Sequence, residues 1–523
     1  MSDLVPFLVA APIAASVLAL LVGLVRSESG WYVAVLAGVI QAAIAGVVAV
    51  RAFRTGTIQY VVGGFEVPYG IELVVDGLSA SVLVLIAAVS LGVLAYARSA
   101  GPRSNPFYAT YLLLVAGLTG VSVTGDLFNM YVFLEITGLA AYALVASGEG
   151  GESAVAALKY LVVGTVGASL FLLGVGYAYV ATGTLNMADL SVKLAEVGHT
   201  AALVRSAFAL LVVGLLIKIA VFPLHTWQPG AYAGAPDTVS GLISALVSTV
   251  AAYALVRVVF TVFTVDFLVA NPFARNMLVA AAAVSIVVGS LLAVSQAEIK
   301  RMLAYSSVSQ FGLVVGAVAV ANGTALTGAA VHLVGHAVMK GGLFLGAGLV
   351  AAATGARTVE DYEGLAERLP VGAGAVGVLG LALVGVPPAV GFVGKWYVAV
   401  GAVRAEAWPL AVVILASTLL TLAYFARLLE RMYFREPATV EAGVETEAGT
   451  EAEAGVVADG VGTDGGDADA GVAGDAAVGA APATVSLGMQ LTVLAAAVLV
   501  VVLGAAAFEY GQLIEPTVER LLS

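Results

Sequence analysis

Long apolar runs, separated by short polar or Gly/Pro-containing segments, follow one another along almost the whole chain. A transmembrane helix needs about 20 apolar residues to cross a hydrocarbon core of about 30 Å, and the runs have this length. The pattern therefore predicts an all-α polytopic membrane protein with about 14 transmembrane helices. They are placed near residues 4–25, 31–53, 76–97, 107–124, 128–147, 154–181, 204–222, 238–264, 272–294, 301–320, 326–353, 370–403 (broken), 408–434 and 486–509.

Two polar segments do not fit this pattern of spans. Between Gly56 and Asp76, β-branched residues flank Gly63-Gly64, which indicates a small hairpin in a loop outside the membrane. The segment Met187–Val197 mixes regularly spaced apolar residues with charged ones, which predicts a short helix lying at the membrane interface.

Composition excludes several functions. Only 11% of the 523 residues are charged, whereas a soluble domain carries roughly 25%. The sequence contains no cysteine, which excludes disulfides, thiolate metal sites and iron–sulfur clusters. The net charge of −12 argues against a nucleic-acid partner, because such a partner requires a basic surface.

The negative charge is concentrated in one segment. Eleven acidic residues and no Lys or Arg lie between Glu436 and Asp475, and the segment 436–485 has no aromatic residue. Such a composition cannot bury a core, so it predicts a disordered acidic loop. A loop of this kind suits a salt-rich cytoplasm and a halophilic source.

Lys and Arg beside the spans predict the orientation in the cell membrane. With the N-terminus outside, the inner loops hold eleven of these residues and the outer side holds seven. This bias favours both termini outside and the acidic loop 436–485 in the cytoplasm. The first apolar run has no basic residue before it and is longer than the apolar region of a signal peptide, so we expect an uncleaved first helix.

Four charged residues fall inside apolar runs: Glu135, Lys218, Lys340 and Lys395. A charge at the centre of a membrane helix costs about 2.5–3.5 kcal/mol on insertion scales, so each needs a reason. One reading is a set of proton-transfer groups, and the other is a set of buried ion pairs that fix helix packing. Lys340, placed near a helix end, could also extend to the interface.

Prolines break two of the apolar runs close to these lysines. Pro223 follows Lys218, and Pro387-Pro388 precede Lys395. In lipid, the backbone groups that such a break frees are tolerated only where they face protein or a water-filled cavity. Broken helices in corresponding positions are typical of transporters with related halves, so the seventh and twelfth spans predict two inverted five-helix repeats. The expected organisation is 1–106 with an outer loop at 54–76, repeats at 107–264 and 272–434, the acidic loop 436–485, and a last helix and tail at 486–523.

His332 and His336 are four residues apart and share one helix face. They are interpreted as a proton relay, a packed polar pair or a metal site, and the sequence supplies no zinc-binding pattern that would favour the last. Lys300 and Arg301 are interpreted as an anchor at the inner interface.

Several motifs resemble one family of membrane proteins. Residues 126–135 (DLFNMYVFLE) are similar to the fifth-helix signature of the D-type subunit of Mrp-type cation/proton antiporters, a superfamily that includes the antiporter-like membrane subunits of respiratory complex I. Further similar segments are 70–79 (GIELVVDGLS), 222–227 (FPLHTW), 297–307 (AEIKRMLAYSS), 336–344 (HAVMKGGLF) and 386–395 (VPPAVGFVGK).

The resemblance implies a polar axis along the membrane midplane, no cofactor, and assembly with sister subunits in the lipid bilayer. It implies that Glu135 and Lys218 form a coupled pair and that Lys395 ends the axis. The family usually has a lysine where this chain has Thr249. Ser244, Ser248 and Thr249 are therefore expected to hold water in place of the missing proton carrier.

These observations leave three hypotheses for the function. The leading one is a subunit that exchanges Na⁺, or another monovalent cation, for H⁺. The alternative is a proton-pumping subunit of a redox complex that resembles NADH-quinone oxidoreductase. The third is a scaffold subunit that no longer transports ions, which the residue Thr249 favours.

Overall fold

The structure, a computed structural model, describes residues 2–148, 150–436 and 485–523. The acidic loop that the sequence predicts at 436–485 lies outside the described residues, apart from its two end residues. Within the described part of the chain, thirteen helices are long and apolar enough to cross a membrane. One further crossing is made by two short helices in succession, Pro370–Val384 and Val390–Arg404. The prediction of about fourteen spans in an all-α membrane protein is thus confirmed.

The helices of the first half are α1 Phe7–Gly23, α2 Gly30–Thr55, α3 Gly77–Ala100, α4 Asn105–Val123, α5 Leu127–Ala146, α6 Gly151–Thr182, α7 Met187–Val197, α8 Ala202–Ile219, α9 Gln228–Gly234, α10 Asp237–Arg257 and α11 Thr264–Ala270. Those of the second half are α12 Pro272–Val294, α13 Ile299–Val320, α14 Gly323–Thr354, α15 Leu365–Arg368, α16 Pro370–Val384, α17 Val390–Arg404, α18 Trp408–Phe434, α19 Leu487–Ala505 and α20 Ala507–Leu522.

A small antiparallel hairpin lies between α2 and α3. Strand β1 (Ile58–Val61) pairs with β2 (Glu72–Val75), with Ile58 opposite Val75. The chain turns through Gly63 and Gly64, whose φ angles of 70° and 74° lie in the left-handed region that favours glycine. The hairpin is thus confirmed, and so is the short helix α7. We call the membrane side on which the hairpin lies the hairpin face.

Polar side chains cap helix starts near the hairpin. On the hairpin face, Asp76 accepts hydrogen bonds from the backbone N–H groups of Leu78 and Ser79 at the start of α3. Asn186 caps α7 in the same way and donates to the carboxylate of Glu72. These bonds satisfy N–H groups that a helix start leaves without partners.

Two sets of five spans share the same local features on opposite faces. In the first set, Asp126 in the turn before α5 forms an isolated β-bridge with Asn186, which follows the 32-residue helix α6. In the second, the turn before α13 forms such a bridge between Glu298 and Thr358, beyond the 32-residue helix α14. Each set then contains a broken span, formed by α8 with α9 and by α16 with α17.

The helix α10 lies at the centre of the molecule. The most apolar 18 residues of the span from Asp237 to Ala270 are all buried, whereas only 22% of the corresponding residues of α19 are buried. This span is longer than the predicted 238–264, because a π-helical turn at Val258–Phe263 connects α10 to α11. The C-terminal segment, expected as a tail, forms the amphipathic helix α20, which packs on α3 and α14.

Candidate functional site

An ion pair joins the first two predicted site residues. The Lys218 Nζ on α8 lies 2.9 Å from Oε1 of Glu135 on α5, and their side chains are 9% and 23% exposed. Gly138, one turn after Glu135, leaves the room for the lysine, because a Cβ there would lie 3.2 Å from Nζ. The two residues are therefore brought together, Glu135 from the middle of α5 and Lys218 from the end of α8.

The pair lies directly before the break in the seventh span. The helix α8 ends at Ile219, and Ala220 adopts a left-handed conformation with φ of 65°. Trp227 donates its indole N–H to the Ile217 carbonyl at 2.9 Å. Backbone groups freed in a membrane need such internal partners. Pro223 itself is exposed at the side of the protein.

The three predicted hydroxyl residues lie on the buried helix α10 and differ in their contacts. The Ser248 hydroxyl donates to the Lys218 carbonyl at 3.4 Å. Ser244 donates to the Gly241 carbonyl on its own helix. The hydroxyl of Thr249 is buried and has no hydrogen-bond partner among the described residues. Buried hydroxyls of this kind are normally satisfied by protein or by water.

Sequence reasoning missed two residues of this network, Gln228 and Tyr232 on α9. The Gln228 side-chain amide donates to Tyr232 at 3.2 Å and to Ser248 at 3.3 Å, and the Tyr232 hydroxyl lies 3.2 Å from that of Ser248. A glutamine inside the broken segment was the available signal. These contacts tie the second part of the broken span to α10.

His332, His336 and Lys340 share one side of α14. The two imidazole rings have their centroids 5.8 Å apart, and no ring nitrogen has a partner among the described residues. Lys340 donates to the Leu303 carbonyl at 2.7 Å and to the hydroxyl of Ser306. The expectation that Lys340 could reach the interface from a helix end is wrong. It lies in the middle of α14 and is fully buried, because α13 supplies oxygen atoms for its ammonium group.

Lys395 lies beside the break in the twelfth span. Its Nζ donates to the carbonyls of Leu383 and Val384, at 2.8 and 3.0 Å, where α16 ends. Pro387 and Pro388 are exposed at the side of the protein, like Pro223 in the first half. Within the described residues, neither Lys395 nor Lys340 forms an ion pair with a carboxylate, in contrast to Lys218.

The helix that carries Lys395 packs closely against the histidines. Gly394 on α17 approaches α14 so closely that a Cβ there would lie 2.7 Å from the Cβ of His332. The second-half candidates therefore form one cluster, which comprises Lys340, His332, His336 and Lys395. The first-half cluster comprises Glu135, Lys218 and the α9–α10 hydroxyls.

Two further buried ion pairs were not predicted. Arg257 on α10 lies 2.5 Å from Asp76 and also donates to Ser79 and Tyr253. Lys300, expected as an interface anchor, is instead buried and lies 2.9 Å from Asp237. That expectation is wrong for Lys300, because the acidic start of α10 lies beside it. Its neighbour Arg301 is half exposed, as an anchor would be.

Comparison with known proteins identifies the family. The sequence profile described as "NADH:quinone oxidoreductase/Mrp antiporter, TM" matches residues 124–421. The chain is 45% identical to NADH-quinone oxidoreductase subunit N of Desulforudis audaxviator over 384 residues, which are 72% of this chain and 75% of that protein. It is 34% identical to the D-type subunit of the Na⁺/H⁺ antiporter of Bacillus subtilis over 397 residues, which are 75% and 79% of the two chains.

Solved structures agree with this assignment. A chain of the membrane-bound sulfane sulfur reductase, an archaeal respiratory membrane complex, superposes with a TM-score of 0.85 at 28% identity and covers 99% of this chain and 98% of its own. A chain of the Mrp complex from Dietzia sp. gives 0.84 at 26% identity, covering 100% and 99%. The resemblance inferred from the motifs is thus confirmed, and the chain belongs to the NADH:quinone oxidoreductase/Mrp antiporter family, as an antiporter-like membrane subunit of a multisubunit complex.

Proposed function

We propose that the chain is the proton-conducting subunit of a monovalent cation/proton antiporter complex in the cell membrane, with Na⁺ as the exchanged cation. The observation that carries this proposal is the ion pair between Glu135 and Lys218 beside a broken helix. A lysine paired with a carboxylate holds its proton, and it releases the proton more readily when the pair separates. The pair therefore works as a switch for proton transfer along the midplane.

The second half supplies groups that receive and store the proton. Lys340 and Lys395 have neutral oxygen atoms as partners, and no carboxylate among the described residues holds either of them in the charged form. Between them lie two imidazoles whose ring nitrogens have no hydrogen-bond partner in the described part of the chain. An imidazole can accept a proton on one nitrogen and donate from the other, which suits relay between lysines.

We assign the proton-transfer step between the first-half and second-half clusters to bound water. The Thr249 hydroxyl and the Gln228 side-chain oxygen are both buried and unpaired among the described residues. A bound water needs two to four polar partners, and these oxygens with Ser248 are candidates for that role. The proton is thus carried by water where the family usually has a lysine.

The alternative function is proton pumping within a redox complex that resembles NADH-quinone oxidoreductase. One observation favours it, namely the 45% identity with a protein named as a subunit of that enzyme. In that case the same axis moves protons, and other subunits supply the energy by electron transfer. A scaffold role without transport is the third candidate, and it requires the Glu135–Lys218 pair to be structural only.

The proposed orientation places both termini outside and the predicted acidic loop in the cytoplasm. It rests on the excess of Lys and Arg, eleven against seven, beside the spans on the face opposite the hairpin.

Everted membrane vesicles that contain the assembled complex separate these candidates. An antiporter dissipates a preformed pH gradient when Na⁺ is added, without any electron donor. A redox pump forms a gradient only when its electron donor is oxidised. Vesicles with Glu135→Gln provide the matched control in both assays, because the change preserves shape and removes the charge. Proton movement that is unaffected by Glu135→Gln contradicts the proposed pathway.

A further inference from the structure

A buried ion pair lies on the face opposite the hairpin, away from the lysines of the axis. The Lys300 Nζ on α13 lies 2.9 Å from Oδ1 of Asp237, the first residue of α10, and also donates to the Ala235 carbonyl at 2.7 Å. The lysine side chain is 9% exposed and the aspartate is 25% exposed. The aspartate is thus the member of the pair that water can reach.

A small cleft lies beside this pair. Its walls include Asp237, Lys300, Glu298, Arg357 and Tyr362, and its volume is about 10 Å³. That is close to the smallest cavity that holds one water molecule. The cleft is therefore at the lower limit of size for one water molecule beside the carboxylate and too narrow for an open channel.

A hydroxyl that is unpaired among the described residues lies near the same carboxylate. Tyr96 on α3 is fully buried, and its hydroxyl has no hydrogen-bond partner among the described residues. A Cβ on Gly348 would lie 2.8 Å from this hydroxyl and 2.8 Å from the carboxyl carbon of Asp237. Glycine at position 348 thus keeps the space between the two groups free.

Polar residues continue from the pair along one side of α10. Asp237, Ser244 and Ser248 are spaced by seven and four residues, and so they share one helix face. Gly241, also on this face, has no side chain, and Leu345 of α14 packs against it. Ser248 ends the row at the Lys218 carbonyl. Eleven residues of α-helix rise about 16 Å, roughly half of the hydrocarbon core.

We propose that the Asp237–Lys300 pair is the gated proton inlet of this subunit, from which the serine face of α10 leads to the break beside Lys218. This proposal rests on the proposed proton transport and adds the face and the residues through which protons arrive. Asp237 accepts a proton from a hydronium ion in the cleft, leaving water behind. The neutral carboxyl group then holds Lys300 less firmly, and the carboxyl O–H donates its proton inward to water along the serine face.

The absence of cysteine from the chain allows a direct test of the path. Ser244→Cys is compared with Ala245→Cys, which is at the same depth on another side of α10 and is equally buried. The probe is Ag⁺, a thiol-reactive ion small enough for a narrow path, added to vesicles of the assembled complex. Silver-protected thiols are counted by mass spectrometry after denaturation and treatment with N-ethylmaleimide.

Two exposed reporters define which face the reagent reaches. Tyr69→Cys reports the hairpin face, where this residue is 94% exposed, and Glu367→Cys reports the opposite face. The inlet predicts that Ser244→Cys reacts faster than Ala245→Cys, and only when Glu367→Cys is accessible. Equal rates for the two cysteines, or reaction only from the hairpin face, overturn the proposal. If Ser244→Cys does not assemble, Ser240→Cys, one turn nearer the cleft, is read in the same way.

The Asp237→Asn variant distinguishes an ion pair that gates proton entry from one that only stabilises the structure. The amide keeps the size of the side chain but cannot accept the proton, and Lys300 retains its bond to Ala235. A gate predicts transport lowered by at least about tenfold and faster silver reaction at Ser244→Cys, with Asp237→Glu restoring transport. Unchanged transport in the asparagine variant overturns the inlet. The rate of silver reaction can be measured whether or not the complex transports protons. A failure of the proposed function, seen as unchanged proton movement in the Glu135→Gln variant, is therefore distinguished from a failure of the inlet.

Discussion

Arg257 and Asp76 form a buried ion pair that joins the central helix α10 to α3, with a separation of 2.5 Å. Ser79 and Tyr253 complete the hydrogen bonds of the guanidinium group. The pair lies near the hairpin face, and its arginine cannot release a proton at any working pH. Its role is therefore to hold the three N-terminal spans against the repeats rather than to conduct.

Removing one member of this pair should destabilise the protein strongly. Asp76→Ala leaves a buried arginine without its counter-charge, which costs about 3–5 kcal/mol. We expect a lower unfolding temperature of the purified complex and a smaller amount of assembled subunit. Glu298→Ala removes the partner of Arg301 in a half-exposed pair and serves as the control, for which little change is expected. An equal effect of both variants would contradict the assignment.

Replacement of Glu135 tests the switch in the first half. Glu135→Gln removes the charge that holds the Lys218 ammonium 2.9 Å away. We expect transport by vesicles to be abolished while the complex still assembles. Glu135→Asp retains the charge on a shorter side chain and should keep part of the activity. Normal proton movement in the glutamine variant would leave the pair with a packing role only.

Replacement of Lys395 tests proton storage in the second half. Both Lys395→Ala and Lys395→Arg should stop or strongly impair transport, since arginine stays protonated. An active arginine variant would show that only a fixed positive charge is needed beside the carbonyls of Leu383 and Val384. The amount of assembled complex, measured for each variant, separates loss of transport from loss of folding.

Thr249 tests the water-carried step. Thr249→Val removes the unpaired hydroxyl at nearly constant volume and should lower proton-coupled flux. Thr249→Lys restores the residue usual in the family and should preserve or raise it. If Thr249→Val and Glu135→Gln both leave proton movement unchanged, the scaffold reading is favoured.

The close contact between α17 and α14 gives a prediction about packing. Gly394→Ala places a methyl group 2.7 Å from the Cβ of His332, so the two helices must separate. We expect reduced transport and a lower unfolding temperature. Gly374→Ala in α16, where a Cβ meets nothing within 4 Å, is the matched control and should be neutral or stabilising. Equal behaviour of the two alanine variants would contradict the tight packing.

The sequence predicts the spans well, because hydrophobic length is the main requirement for a membrane helix. It also identifies Glu135 and Lys218, because a charge inside an apolar run needs a partner of opposite charge and the resemblance to the family implies that these two residues form a pair. It could not place Lys300, because a lysine at the end of an apolar run looks like an anchor until the start of another helix is seen beside it. The partners of Lys340 were hidden for a similar reason, as they are a carbonyl and a hydroxyl on α13.

The two broken spans have an electrostatic consequence. The helix α8 runs inward from the hairpin face and α16 from the opposite face, and each presents its carbonyl end at its break. A helix carries a partial charge of about −0.5 at this end. Two partial negative charges therefore lie in the protein interior, approached from opposite sides. The Lys395 ammonium binds the carbonyls at the end of α16, whereas the Lys218 ammonium turns to Glu135 on α5. The backbone field of the two helix ends thus attracts a positive charge from either side of the membrane. The direction of transport must then be set by what differs between the two faces, such as the Asp237–Lys300 pair, and by the partner subunits that supply the driving force.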